Sequence, residues 1–167
     1  NAAIYGFGLF TKNEQVRKTG VLIISSSFFA GYTQILVRTA VGRARPFSGE
    51  DPNTFKPFKG GQDYFSFFSG HTVLGMTMAH SIAKQFDHTW TKIGIYSVGS
   101  LPAMSRLIDG AHWLSDVAFG AAFGIIVVDS IDKLLFDTKS YETRRKEKQV
   151  SWNFNFTGNQ IGVVGTF

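Results

Sequence analysis

The chain alternates between long apolar stretches and shorter polar connections. Four stretches are long enough to form helices, and they cover residues 21–41, 67–86, 93–111 and 114–135. All four are rich in the small residues that allow helices to pack closely. The pattern predicts a mainly α protein. It leaves two interpretations open: helices buried in a compact soluble bundle, or membrane helices that surround a polar pocket.

The connections set the expected domain boundaries. Residues 42–64 contain three of the four prolines, which predicts a loop, and residues 87–92 predict a short link between two helices. Residues 137–150 are polar and charged, as in a solvated linker. We therefore expect one helical domain over residues 1–136, with an N-terminus that is incomplete or processed. The linker would then lead to a tail over residues 151–167.

The tail has the period of a strand rather than that of a helix. Trp152, Phe154 and Phe156 alternate with serine and asparagine, a turn-like segment follows at residues 157–160, and residues 161–167 alternate again. This pattern predicts a short β-hairpin. The hairpin could add strands to the sheet of a protein partner or fold back over a face of the bundle, and both interpretations stay open here.

The composition removes several classes of protein. Of 167 residues, 17% are charged and 15% are aromatic, which is the opposite of the balance found in disordered chains. There is no cysteine, so a disulfide scaffold, a cysteine-ligated zinc site, an iron–sulfur cluster and a cysteine nucleophile are all excluded. An ordered domain with a substantial core is the class that fits this length.

The formal net charge of +5 points to an anionic partner, whose nature depends on where the basic residues lie. One group of basic residues falls in the linker, and another consists of Arg38, Arg43 and Arg45. No long basic stripe is interleaved with stacking aromatic residues, so nucleic acid is not expected as a partner. An anionic membrane surface and an anionic substrate remain.

Three short motifs carry most of the candidate chemistry. They are Arg38-x6-Arg45-Pro46, Phe68-Ser69-Gly70-His71 and Ser105-Arg106-x5-His112-x3-Asp116. In the third motif, His112 and Asp116 are four residues apart, so on a helix they would share a face. The carboxylate could then accept the Nδ1 hydrogen of His112, which would fix the tautomer and make Nε2 a better nucleophile.

The other two motifs supply groups that suit a phosphate. A helix that starts at Ser69-Gly70-His71 would offer backbone N–H groups and the positive end of its dipole to an anion. Arginines can add bidentate hydrogen bonds to phosphate oxygens. The candidates for these bonds are Arg38, Arg45 and Arg106. Taken singly, each residue also suits a structural role, which is favoured for His80 and His88. Together they describe a phosphate cradle with two histidines, a nucleophile and a proton donor.

The order and spacing of the three motifs resemble the signature of the type 2 phosphatidic acid phosphatase (PAP2) superfamily, which also includes soluble bacterial class A acid phosphatases and vanadium-dependent haloperoxidases. The resemblance covers residues 38 to about 128, and the third motif matches at every fixed position. It implies an all-α helical bundle, to which the short β-hairpin-like tail is an appendage. Two positions depart: Arg38 stands where the family has lysine, and Phe68 where it has proline.

The resemblance also implies a role for each residue. His112 would attack phosphorus to form a phosphohistidine, Asp116 would orient it, and His71 would protonate the departing alcohol oxygen. The residues that would hold the phosphate are Arg38, Arg45, Ser69, Gly70 and Arg106. Because the arginines supply the charge stabilisation, neither a metal nor another cofactor is expected.

These roles predict a metal-independent phosphatase that acts on a lipid-linked phosphomonoester or pyrophosphate. Phosphatidate, phosphatidylglycerophosphate, isoprenyl pyrophosphate and a lipid A phosphate fit equally well. A soluble acid phosphatase of broad specificity and a non-catalytic envelope subunit that uses the tail are the alternatives. We expect a protein of a bacterial-type envelope, integral to the membrane or associated with it. The distribution of basic residues among the connections places the active site on the periplasmic side.

Overall fold

The computed structural model describes residues 13–136 and the backbone of residues 151–157 and 160–166. Four helices follow one another, namely α1 (Glu14–Val41), α2 (Gly70–Ala83), α3 (Thr89–Ile108) and α4 (Leu114–Phe136). Two short 3₁₀ turns, Pro46–Ser48 and Gln62–Tyr64, lie in the long loop between α1 and α2. The prediction of an all-α fold is confirmed.

Contacts divide the chain into two units, the first ending at Ile131 and the second beginning at Asp132. In the second unit, β1 (Ser151–Thr157) and β2 (Gln160–Thr166) pair antiparallel along their whole length. This hairpin is the one that the alternating pattern predicts. The linker expected at residues 137–150 and the first residues of the chain lie outside the described residues. A protein partner for the hairpin stays a prediction.

Local signals explain where α1 begins and ends. The side chain of Asn13 accepts a hydrogen bond from the backbone N–H of Val16 at 3.1 Å and so caps the first turn. Gly42 has a φ of 59°, in the left-handed region, and its N–H donates to the carbonyl of Arg38 at 3.0 Å. The helix starts earlier than the apolar pattern predicts, because its first turns are mostly polar and a cap sets this end.

The core cluster lies where α1, the start of α2 and α4 meet, and it consists of Ala30, Phe68, Val73 and Val127. Gly120 and Gly124 of α4 leave room for the backbone of this neighbour, since a Cβ on them would lie 3.0 Å from the carbonyl oxygens of Ser69 and Val73 respectively. Phe68 is only 1% exposed and packs against aromatic rings of α4. The phenylalanine that replaces the family's proline therefore anchors the loop by burial.

A polar cluster joins α2, α3 and α4 more than two helical turns away from His71. His80 contacts the hydroxyl of Tyr96 through Nδ1 at 2.5 Å and a carboxylate oxygen of Asp129 through Nε2 at 3.0 Å. Lys84 donates to the same oxygen at 2.7 Å. Because these contacts tie three helices together, they support the structural interpretation of His80.

Large apolar side chains remain exposed on the helices. Phe28 of α1 is 76% exposed, Val98 of α3 is 67% exposed and Ile126 of α4 is 61% exposed. The helices α1 and α4 are each long and apolar enough to cross a membrane, yet only 33% of the most apolar window of each is buried. Since the core helix of a soluble protein is mostly buried, this exposure favours membrane helices around a polar pocket.

Candidate active site

A pocket of about 260 Å³ lies where the end of α1, the start of α2 and the turn before α4 meet. Its wall contains five of the residues predicted for the site, namely Arg38, Arg45, Gly70, His71 and His112. The rest of the wall consists of Gly31, Gln34, Ile35 and Leu74. The fold thus brings the three motifs together. The other predicted residues, Ser69, Arg106 and Asp116, are not part of this wall.

The loop after α1 holds two arginines at the pocket. The backbone N–H of Arg45 donates to the carbonyl of Asp63 at 2.8 Å, and its guanidinium donates to the carbonyl of Phe65 at 3.4 Å. The same guanidinium lies 5.5 Å from the ring centre of Phe47. Arg38, in the last turn of α1, lies 4.9 Å from the ring centre of Phe65. These contacts set where each cation sits.

Three arginines repel one another at this site. Burial lowers the pKa of Arg45, and the positive charges of Arg38 and Arg106 lower it further. The Nε atom of each of the three is buried and has no hydrogen-bond partner within the described part of the chain. Arg106 also lies 3.5 Å from a carboxylate oxygen of Asp109. An anion among the three arginines would relieve the repulsion and pair these donors.

The start of α2 brings Gly70 and His71 to the pocket, and His71 is exposed there. Gln34 of α1 supports this turn. The sequence motifs did not predict it as a site residue. Its amide donates to the carbonyl of Phe68 at 2.6 Å, and its side-chain oxygen would lie 3.2 Å from a Cβ placed on Gly70. A buried amide in an otherwise apolar stretch is the signal that could have identified it.

Ser69 lies behind the pocket wall rather than in it. It precedes the first turn of α2 but is fully buried, and its hydroxyl accepts a hydrogen bond from the hydroxyl of Thr72 at 2.9 Å. Its N–H donates to the carbonyl of Asp116 at 3.2 Å. The cause is the close packing of α4, in which Gly120 lies against this turn. The contact between Ser69 and a phosphate stays a prediction.

His112 and Asp116 do not share a helical face. The helix α4 begins at Leu114, so His112 lies in the turn before it. The Nδ1 of His112 contacts the backbone carbonyl of Ser66 at 2.6 Å instead of a carboxylate oxygen. The direct hydrogen bond expected from the spacing is therefore not formed, because the helix starts too late to include the histidine.

Asp116 is completely buried, and its carboxylate accepts hydrogen bonds from three residues of the described chain. Arg43 Nη1 donates to Oδ1 at 2.5 Å, and the hydroxyl of Ser66 donates to Oδ2 at 2.5 Å. The backbone N–H of Trp113 also donates to Oδ2, at 3.0 Å, as at a helix start where an acidic residue caps the first turn. Asp116 thus has no direct bond to Nδ1 of His112 and is linked to it through Ser66, whose carbonyl contacts that nitrogen.

Arg43 is the second residue that sequence reasoning missed. It lies between the two fixed arginines of the first motif and counted only toward the basic charge. Its Nε donates to the carbonyl of Pro52 at 2.9 Å, and its guanidinium lies 5.8 Å from the ring centre of Trp113. A further arginine two positions before Arg45 is the signal that could have drawn attention to it.

The contacts of His112 define its tautomer and its charge. A carbonyl oxygen only accepts, so Nδ1 carries the hydrogen and Nε2 of the neutral ring keeps its lone pair. Burial lowers the pKa of His112, and the charges of Arg45 and His71 lower it too, against the opposing effects of the Ser66 carbonyl and Asp116. The lowered pKa favours the neutral ring at neutral pH, which is the form that the predicted nucleophilic role requires.

The pH dependence of kcat/KM should reveal this neutral ring. The nucleophilic role predicted for His112 requires the deprotonated ring, so we expect activity to fall as the pH drops through the pKa of His112 in the free enzyme. Because that pKa is lowered, the acidic limb should lie below the ordinary histidine value of about 6.5. Initial rates over the acidic range, corrected for titration of the substrate, provide the measurement. An acidic limb above that value would contradict the assignment.

Several curated proteins are similar to the chain. A lipid A 1-phosphatase of Rhizobium etli is 32% identical over 107 residues, which are 63% of this chain and 45% of that protein. A lipid A 1-phosphatase of Porphyromonas gingivalis is 33% identical over 90 residues, 50% of this chain and 20% of that protein. A lipid A 4'-phosphatase of the same organism is 31% identical over 124 residues, which are 70% of this chain and 47% of that protein. The chain spans less than half the length of these relatives.

No solved structure is similar enough to count as a match. The family model of the PAP2 superfamily, in contrast, matches residues 19–132. This region is more than half of the chain and contains all three motifs, together with every residue predicted for the site. It also contains Gln34 and Arg43, which the structure adds. The chain therefore belongs to the PAP2 superfamily.

Proposed function

We propose that the protein is a phosphatase that hydrolyses a phosphate ester on a lipid through a phosphohistidine at His112. The observation that carries the proposal is the pocket, in which this histidine and His71 lie with two arginines. The Nε atoms of these arginines have no partner among residues 13–136. A phosphate would pair these donors, whereas an apolar ligand would leave them buried and unpaired.

The first half-reaction transfers the phosphoryl group to the protein. Nε2 of His112 attacks phosphorus in line with the ester oxygen, and the N–P bond forms as the bond to the alcohol breaks. His71 gives its proton to the departing alcohol oxygen. The positive charges that stabilise the non-bridging oxygens are those of Arg38, Arg45 and Arg106.

The second half-reaction returns the protein to its starting state. His71, now neutral, takes a proton from a water molecule as that water attacks phosphorus. The N–P bond breaks, phosphate leaves, and Nε2 of His112 regains its lone pair. Arginines take the part that a divalent cation plays in other phosphoryl transfers. Within residues 13–136, no group of three or more acidic or histidine side chains lies close enough to hold a metal ion.

Two observations support a lipid as the substrate. The similar proteins are named lipid A phosphatases, and α1 and α4 are apolar enough to span a membrane. Arg38 lies in the last turn of α1 and His112 lies just before α4, so the pocket is at one end of both helices. A phosphate there would lie at the membrane surface while the acyl chains stay in the bilayer. We expect this surface to face the periplasm.

The test is phosphate release by the purified protein in detergent micelles. The substrates compared, each with and without excess EDTA, are lipid A, phosphatidate, phosphatidylglycerophosphate, isoprenyl pyrophosphate and a soluble aryl phosphate. We expect release from a lipid to be faster than release from the aryl phosphate and to be unaffected by the chelator. Vanadate should inhibit, because it can adopt the trigonal-bipyramidal shape of the phosphoryl group in transfer.

Each other outcome of this test has a distinct meaning. Faster release from the aryl phosphate, with or without detergent, would favour the soluble acid phosphatase of broad specificity. Activity that EDTA removes and a divalent cation restores would contradict the metal-independent mechanism. No release from any substrate by a folded sample would contradict the enzymatic proposal and favour a non-catalytic envelope subunit.

A further inference from the structure

We infer that Arg43, Asp116 and Ser66 form a relay that positions His112, so that Arg43 is needed for the chemistry without touching the substrate. The inference rests on the proposed phosphatase function. It is carried by a closed set of contacts among buried groups, which lead from Arg43 through Asp116 and Ser66 to the histidine. Arg43 and Ser66 are therefore positioning residues.

The first link is a buried ion pair. The side chain of Asp116 is 0% exposed and that of Arg43 is 13% exposed, and they meet at 2.5 Å. The guanidinium is held from two further directions, because Nε donates to the carbonyl of Pro52 at 2.9 Å and Nη1 donates to the hydroxyl of Ser115 at 2.8 Å. A buried carboxylate with one fixed charged partner has one favoured orientation.

The second link passes through both the side chain and the backbone of Ser66. Its hydroxyl donates to Asp116 at 2.5 Å, and its carbonyl accepts the Nδ1 hydrogen of His112 at 2.6 Å. Its N–H donates to the carbonyl of Arg43 at 3.1 Å, which closes the ring of contacts. Since Ser66 is fully buried and held at its N–H and its hydroxyl, the direction of its carbonyl is set by the other two residues.

Arg43 differs from the arginines that face the pocket. Its Nε is hydrogen-bonded, whereas the Nε atoms of Arg38 and Arg45 are without partners among the described residues. It is also absent from the pocket wall, to which both of the others belong. Its Nε and Nη1 donors are committed to protein oxygens, which favours a positioning role over a phosphate contact.

A double-mutant cycle tests the first link. Arg43→Gln and Asp116→Asn are each expected to lower kcat by on the order of 10²-fold with little change in KM. The double variant should be no slower than Asp116→Asn alone, because the ion pair through which Arg43 acts on His112 is already lost without the carboxylate. Losses that multiply in the double variant would overturn the relay. Arg17→Gln, at an exposed arginine of α1, is the matched control.

The second link has its own variant. Ser66→Ala keeps the backbone carbonyl but removes the bond to Asp116, so kcat should fall while vanadate inhibition is retained. Ser26→Ala is the matched control, because Ser26 is equally buried and its hydroxyl has no partner within residues 13–136. Equal rates for these two variants would overturn the link. Where Arg43→Gln does not fold, Arg43→Lys takes its place in the cycle. Lysine keeps the charge but lacks the planar guanidinium that donates to several oxygens at once.

Nitrogen-15 NMR of the histidine rings separates this inference from the proposed function, because it needs no substrate. His112 of the unmodified protein should be the Nδ1–H tautomer, and Arg43→Gln should convert it to a mixture of tautomers. An unchanged tautomer in Arg43→Gln would overturn the relay even in an active enzyme. A tautomer that changes as expected in a protein that releases no phosphate would instead refute the proposed function alone.

Discussion

Replacing His112 with alanine is expected to reduce phosphate release to background, a loss on the order of 10⁴- to 10⁶-fold in kcat. His112 is the histidine whose Nδ1 is held by the carbonyl of Ser66, so that Nε2 has the lone pair. Without it no N–P bond can form, and the arginines can only bind the phosphate. Release from the best lipid of the panel and trapping of phosphorylated protein at alkaline pH provide the measurements.

His88→Ala is the control for this variant. His88 is exposed at the start of α3 and is not part of the pocket wall, so the same change in chemistry should leave the rate as it is. Vanadate should still bind to His112→Ala, though more weakly, because the arginines remain. Turnover close to that of the unmodified protein in a folded His112→Ala sample would show that another residue is the nucleophile.

Arg45→Gln should lower kcat/KM by about 10²- to 10³-fold, the size of effect expected when one preorganised donor to developing charge is removed. Arg45 lies in the pocket wall, its Nε has no hydrogen-bond partner among residues 13–136, and it is flanked by the charges of Arg38 and Arg106. Glutamine keeps a hydrogen-bond donor but removes the charge. Vanadate inhibition should weaken together with kcat/KM, because both depend on charge at the same place.

Arg38→Lys is the comparison for this variant. Lysine is the residue that the PAP2 signature has at this position, and it keeps a positive charge at the end of α1. We therefore expect a smaller loss than for Arg45→Gln. A loss of the same size would mean that Arg38 makes a bidentate contact with phosphate, which an ammonium group cannot replace.

The order of apolar stretches and motifs in the chain is enough to predict much of the molecule. Stretches of this length that are rich in small residues predict an all-α fold, because they are longer than ordinary strands and their small residues let helices pack closely. The order and spacing of the three motifs resemble the PAP2 signature, so Arg38, Arg45, His71 and His112 could be expected to meet. The structure places all four in the wall of one pocket.

The partner of His112 could not be predicted, since it depends on where α4 begins. A start at Leu114 leaves the histidine outside the helix and turns the expected pair with Asp116 into a relay through Ser66. Arg43 and Asp116 are 73 residues apart, and Ser66 and His112 are 46 apart. Contacts over such separations depend on the path of a loop and the direction of one backbone carbonyl. Local patterns carry no information about either, because packing between distant segments sets both.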